Sequence, residues 1–270
     1  MKKTLITGLK GMIVGGTMLV PGVSGGSMAM ILGIYDQLIM AVSSFRRAPG
    51  RNFRFLLMFS LGGGLGMLLF ARPLLQLIEA YPMEMLYFFL GAVAGGVPLI
   101  YSQARTQAFT WRVPIYVLLG IGMVVLISFI PENLFQVGDT MEPGTYVLVV
   151  SAGLLAAAAL ILPGISISYF LLMLGLYDIT MQAISSLYLP FLLSMGLGLI
   201  LGILLLTKLL ETAMKKYPQP TYLIILGFVL GSLGEVFPGI PALPQLPLCL
   251  LMLAAGFFII RFLSQAETKE

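Results

Sequence analysis

Seven long apolar runs divide the chain, at 55–70, 85–101, 113–130, 146–162, 191–206, 222–233 and 248–262. A membrane-crossing helix needs about 20 mostly apolar residues, or somewhat fewer in a thin bilayer. Most of these runs qualify. The alternation that a membrane β-barrel requires is absent, so helices are the form that satisfies the backbone in lipid. The pattern predicts an all-α polytopic membrane protein.

The stretch before the first of these runs is different. From about Leu5 to Val42 it is apolar almost throughout, and a continuous helix of that length would exceed roughly 50 Å against about 30 Å of hydrocarbon. It is interrupted at Pro21-Gly22-Val23-Ser24-Gly25-Gly26, where proline removes a donor and glycine frees the backbone. This reads as a re-entrant hairpin over 5–43 that enters and leaves on one side. Lys2, Lys3 and the apolar residues up to Pro21 also resemble a secretory signal. The same segment recurs later in the chain, as a cleaved signal does not.

The recurrence is extensive. Pro21-Gly22-Val23-Ser24 returns as Pro163-Gly164-Ile165-Ser166, Gly33-Ile34-Tyr35-Asp36 as Gly175-Leu176-Tyr177-Asp178, and Ser43-Ser44 as Ser185-Ser186, all displaced by 142 positions. Gly62 and Gly66 then match Gly198 and Gly202, Arg72 matches Lys208, Tyr81-Pro82 matches Tyr217-Pro218, and Gly91 and Gly95 match Gly227 and Gly231, displaced by 136. The drop of six falls in the polar loop around 46–52. The expected organisation is a first repeat over 1–131 (hairpin 5–43; spans 54–71, 84–101 and 112–130). A second follows over 145–263 (hairpin 145–185; spans 190–208, 221–235 and 247–262).

A hairpin plus three crossings per half inverts the second half. Charge supports this. With the hairpin re-entrant, 14 of the 15 basic residues fall on the N-terminal side and Arg72 alone lies opposite, with Glu79, Glu84, Glu132, Asp139, Glu142 and Glu235. If the broken segment crossed once, Arg46–Arg54 and Arg105–Arg112 would be exported, against the positive-inside rule. Both termini are therefore expected in the cytoplasm.

Composition narrows the chemistry. Hydrophobic residues make up 59% and charged ones 10%, against about a quarter charged in a soluble domain. The absence of histidine removes the commonest acid/base catalyst and metal ligand, and no metal or cofactor is expected. Cys249 stands alone in an apolar run, so no internal disulfide exists. The net charge of +4 is explained by topology, and nucleic acid is not an expected partner. A homo-oligomer stays open.

Broken helices in inverted repeats are the usual architecture of secondary transporters, with half-helix ends facing anionic groups near the membrane middle. Ser24 or Ser27 is expected to cap a half-helix running to Tyr35, and Ser166 or Ser168 its mate. Gly22, Gly25, Gly26 and Gly164 would let a phosphate or carboxylate approach the backbone. A tight turn with serine caps accounts for the same residues, and two copies in inverted halves favour the binding reading. Gly25-Gly26 becomes Ile167-Ser168 in the second copy, so the two need not be equivalent. Asp36 and Asp178 are candidates for ion coupling, since a carboxylate inside a membrane protein is a functional candidate; a carboxylate at the interface is the plainer alternative. Arg72 would ligate an anionic head group, neutralise Asp36 or snorkel to the interface. The Gly62-Gly63-Gly64 run and Gly91/Gly95 point to close helix packing.

The run Pro21-Gly22-Val23-Ser24-Gly25-Gly26-Ser27, followed by Gly33-Ile34-Tyr35-Asp36, resembles the bacterial and archaeal polyprenyl-phosphate transporter family (PopT), formerly a domain of unknown function. The resemblance covers nearly the whole chain. Family members often carry threonine at position 27 and glutamate at 36, which keeps the chemistry. It implies return of undecaprenyl phosphate, the lipid carrier of cell-wall precursors, across the bacterial cytoplasmic membrane from the outer to the inner leaflet; coupling to an ion gradient through Asp36 or Asp178 is a separate expectation from those carboxylates. Two alternatives stand beside it. One is an ion-coupled transporter of a small water-soluble anion. The other is a lipid-pyrophosphate phosphatase, whose related Pro-Gly-x-Ser-Arg-Ser hairpin has Gly25 and Gly26 in place of its Arg and second Ser here, without paired glutamates. No enzyme activity is expected.

Overall fold

The computed structural model describes residues 2–18, 24–106, 110–129, 143–165 and 167–268. Among these, all regular structure is helical: α1 Lys2–Thr17, α2 Gly25–Ile31, α3 Tyr35–Ser43, α4 Pro49–Ala80, α5 Pro82–Gln103, α6 Arg112–Ser128, α7 Pro143–Ile161, α8 Ile167–Met173, α9 Tyr177–Ser185, α10 Leu189–Lys216, α11 Pro218–Val236 and α12 Leu246–Thr268, with one 3-10 turn at Phe45–Arg47. The protein is an all-α polytopic membrane protein. Five helices (α4, α5, α7, α10 and α12) are long and apolar enough to cross a membrane, and α2 with α3 would make a sixth if read as one bent span. Their outer faces carry large apolar side chains such as Leu68, 80% exposed, and Phe258, 66% exposed, a surface that belongs in lipid.

Local chemistry sets the helix ends. Tyr81 closes α4 and opens α5, and Tyr217 does the same between α10 and α11, each with non-helical backbone angles (φ −137, ψ 60 and φ −132, ψ 62). The following proline forces this: it disfavours the helical region for the residue before it and suits the first turn of a new helix. The repeated Tyr-Pro pair is therefore a hinge without a loop. Helices α4 and α10 run further than the apolar runs at 54–71 and 190–208 indicate, because the helix continues beyond the apolar stretch into polar residues.

The first broken segment corrects one expectation. The half-helix expected to reach Tyr35 ends at Ile31, and α3 leaves at 113° to α2. The Gly33 N–H donates to the Met30 carbonyl and the Ile34 N–H to Ala29, 3.0 Å each, with Gly33 at φ +66. This is a Schellman end, and glycine takes the left-handed residue without a Cβ penalty. The second copy repeats it. Gly175 sits at φ +70, and the N–H groups of Gly175 and Leu176 bond Leu172 and Leu171 at 2.9 Å. The glycine of Gly-x-Tyr-Asp is thus the corner between two short helices, and Asp36 and Asp178 sit in the first turn of α3 and α9.

Helices pair closely and in parallel through glycine. Helix α1 lies along α4, α7 along α10, α5 along α12 and α6 along α11. A Cβ on Gly15 would stand 2.0 Å from the Gly63 carbonyl oxygen, one on Gly198 2.0 Å from Val150, one on Gly91 1.9 Å from Leu253 and one on Gly227 2.3 Å from Val117. These clashes are with backbone, which cannot rotate away. Gly91→Val is expected to lower the melting temperature of the detergent-purified protein by roughly 10 °C, from about 3 kcal/mol of overpacking at some 2–4 °C per kcal/mol. Gly196→Val, where nothing lies within 4 Å, should change it little.

Candidate functional site

The two chain breaks meet. A Cβ on Gly26, at the start of α2, would lie 3.2 Å from the Cα of Pro163 and 3.4 Å from the Ile161 carbonyl oxygen. The Tyr35 hydroxyl, buried at the start of α3, donates to that carbonyl at 2.8 Å. Ile161 ends α7, so its carbonyl lacks a continuing helical partner, and a tyrosine from the other half supplies the donor. Gly164 follows at φ +90 against the Phe228 carbonyl of α11. Helix α2 packs on α5, with Ile31 over Gly96.

Ser24 and Ser27 are both buried here. Ser24 occupies the N-cap position of α2 in extended conformation but makes no side-chain cap bond; its carbonyl accepts from the Met28 N–H at 3.1 Å. Ser27 lies inside α2 with its hydroxyl buried and without a partner among the described residues. The expected capping is therefore replaced by a free buried hydroxyl. Gly25 faces the Met18 side chain, Ser168 falls in α8, and Gly22 and Ser166 lie outside the described residues.

Asp36 is half-buried and accepts a 2.6 Å hydrogen bond at Oδ2 from the Tyr222 hydroxyl of α11. Its Oδ1 is buried with no partner among the described residues, as is Oε1 of Gln103. Both residues line a cavity of about 300 Å³ with Arg105, Glu211, Lys215 and Tyr222. Asp178, in contrast, is exposed, and the repeat places Leu86 where Tyr222 stands. Arg72 does not approach Asp36. It lies on the exposed face of α4, about 30 Å along the helix from Asn52, whose side chain bonds the Ser44 carbonyl. Neutralisation of Asp36 by Arg72 is excluded on that ground.

A second cavity, about 860 Å³, adjoins the first and is lined by Ser43, Ser44, Arg46, Arg47, Leu56, Leu204, Lys208, Glu211 and Lys216 among others. Glu211 of α10 stands between the two. It accepts hydrogen bonds from Ser43 at 2.6 Å and Ser44 at 3.2 Å, and pairs with Lys215 one turn on. These bonds tie α3 to α10. Sequence reasoning did not single out Glu211, Tyr222, Gln103 or Arg105. The signal for Glu211 was present, as a carboxylate four residues from Lys215 in a basic segment. For Tyr222, on an apolar helix, there was none.

A lipid-facing bundle of paired helices, with two breaks in contact and polar groups gathered at one end, defines a membrane-transport protein by fold and site. A family profile described as VCA0040-like, undecaprenyl phosphate translocase-like, matches residues 14–244, and the chain belongs to that family. A Staphylococcus aureus protein named polyprenyl-phosphate transporter is 33% identical over 243 residues, 86% of either chain. A Vibrio cholerae protein of the same name is 29% identical over 254 residues, 87% of this chain and 78% of its own. The class these names carry is transporter, not enzyme. No solved structure matches the chain.

Proposed function

We propose that the protein carries undecaprenyl phosphate between the leaflets of the bacterial cytoplasmic membrane, returning the lipid carrier from the outer to the inner face under an ion gradient. The family and the printed names of the two relatives support the substrate. The observation that carries the mechanism is the contact between the two breaks, Gly26 on Pro163 and Tyr35 on Ile161. The phosphate would sit beside Gly22, Ser24, Gly25, Gly26 and Ser27 of the first break and Gly164, Ser166 and Ser168 of the second, with Arg72 receiving the head group on the outer side. The Ser27 hydroxyl, buried and unpartnered among the described residues, would bond the phosphate once the break opens. The prenyl chain stays in lipid.

Inversion of the halves has separate support. By the repeat, α12 corresponds to α6 and α11 to α5. Yet α12 runs parallel to α5 and α11 parallel to α6. Upright copies would run antiparallel there, because α5 and α6 are successive crossings. Transport would follow from rocking one hairpin against its surroundings, with Asp36, and less so Asp178, exchanging the coupling ion.

Two measurements test this. In reconstituted vesicles, Ser27→Ala and Ser24→Ala should each slow undecaprenyl phosphate transfer about tenfold, the loss of one hydrogen bond to a charged group. Transfer at the wild-type rate in both would remove the breaks from the path. Single cysteines placed in the 43–52 and 178–189 connections, with Cys249 replaced by serine, should label from opposite faces of the membrane. Labelling from one face would end the inverted scheme.

A further inference from the structure

The larger cavity has a composition that topology alone does not require. Arg46 and Arg47 reach it from the 3-10 turn and Lys208 from α10, so its cations come from both halves. None of the three has a carboxylate partner among the described residues. The one carboxylate in the lining, Glu211, is already engaged by Ser43, Ser44 and Lys215. With Lys216, which also lines it, four positive charges without a carboxylate partner among the described residues share one open space. Loop arginines alone would satisfy the positive-inside rule. Lys208 is not a loop residue: it stands two turns, about 10 Å, deeper along α10 than Lys215. It is flanked by Leu204, Leu205 and Leu209, which are 50%, 62% and 65% exposed.

We propose that Lys208, Arg46 and Arg47 form the inner-leaflet docking site for the phosphomonoester head group of a polyprenyl lipid, with the first isoprene units lying along Leu56 and Leu204. This rests on reading the protein as a polyprenyl-phosphate carrier and adds where the lipid is held on the cytoplasmic side. The chemistry selects the occupant. A phosphomonoester carries about −1.5 to −2 charges at neutral pH, which matches several cations better than the single charge of a phosphodiester lipid. A soluble anion has no use for an apolar wall, whereas a lipid phosphate brings charge and hydrocarbon together. A lysine stem can also lie along leucines while its ammonium reaches the phosphate level. The repeat adds weight: Arg72 occupies the position equivalent to Lys208, exposed on α4 beside Leu68, Leu69 and Leu75. Each leaflet would meet one lipid-facing cation at the same place in the fold.

The test is binding of a short-chain polyprenyl monophosphate to the full-length protein in phosphatidylcholine nanodiscs. Lys208→Gln and the double variant Arg46→Gln/Arg47→Gln are expected to weaken it about tenfold each, with Lys208→Arg keeping most of it. Inorganic phosphate and phosphatidylglycerol at equal concentration should not compete. Wild-type affinity in Lys208→Gln and in the double variant overturns the site, and so does equal competition by phosphatidylglycerol, the mark of a general anionic-lipid surface. The double variant lies on an exposed turn and keeps the test decisive if Lys208→Gln does not fold. If the wild type binds and Ser27→Ala weakens it while the basic variants do not, the docking site alone falls. If the wild type binds no polyprenyl monophosphate, the transport reading falls with it.

Discussion

Vesicles carrying Asp36→Asn are expected to lose gradient-driven transfer of polyprenyl phosphate by on the order of 100-fold, equivalent to about 3 kcal/mol in barrier height. The reason is local. Asparagine keeps the size of the side chain and can still accept the Tyr222 hydroxyl, so the contact between α3 and α11 survives. What disappears is the charge, and the buried Oδ1, unpartnered among the described residues, gives way to an amide nitrogen. Arg105, Glu211, Lys215 and Tyr222 face the same space, which leaves two carboxylates against two cations, and removing one carboxylate unbalances it. Asp178→Asn should act several-fold more weakly, because Asp178 is exposed and Leu86 stands where its tyrosine would be. Tyr222→Phe leaves both Asp36 oxygens unpartnered, a penalty of about 1–3 kcal/mol, and should alter the dependence on pH or sodium without abolishing transfer. Uptake under imposed proton and sodium gradients separates these outcomes. Wild-type rate and ion dependence in Asp36→Asn would take the coupling ion elsewhere.

This asymmetry between two matching aspartates bears on what a sequence can disclose. The Gly-x-Tyr-Asp motif was legible as a repeat in both copies because it recurs at a fixed spacing, while the turn it makes was not: the half-helix was expected to continue to Tyr35, and Gly33 ends it. The helix-pairing glycines were legible for the same kind of reason, as small residues recurring every four positions. The partners of the carboxylates were not. Tyr222 is 186 residues from Asp36, and Glu211 is 168 from Ser43. Neither pair carries a spacing or period that would announce it. The repeat even misleads here, since it implies equivalence for Asp36 and Asp178 while the bonding tyrosine exists in only one half. Hydropathy likewise found the apolar helices but not their ends, because it reports the apolar stretch and is silent on Arg51 or Glu79 extending the same helix. Ser24 does stand at an N-cap position, as its residue type suggests, but it lacks the hydroxyl bond that usually accompanies one.

Gly164→Ala is expected to leave no correctly folded protein, whereas Gly239→Ala costs only a few degrees of melting temperature. The two glycines share a backbone conformation, φ +90 and φ +92. A left-handed alanine costs about 1–2 kcal/mol at either. They differ in what surrounds the new methyl group. At Gly239 nothing lies within 4 Å, while at Gly164 the Cβ would stand 2.3 Å from the Phe228 carbonyl oxygen and 2.7 Å from its carbon. Those are backbone atoms of α11, and they can yield only if α11 moves. That helix also carries Tyr222 and pairs with α6 through Gly227, so displacing it would disturb the Asp36 contact and the second break together. Melting and size-exclusion profiles of the two purified variants isolate the packing contribution, because the strain is common to both. Equal, mild losses would mean that α11 does not hold the second break. The meeting of the two breaks would then depend on the Tyr35 hydroxyl and the Gly26 contact alone.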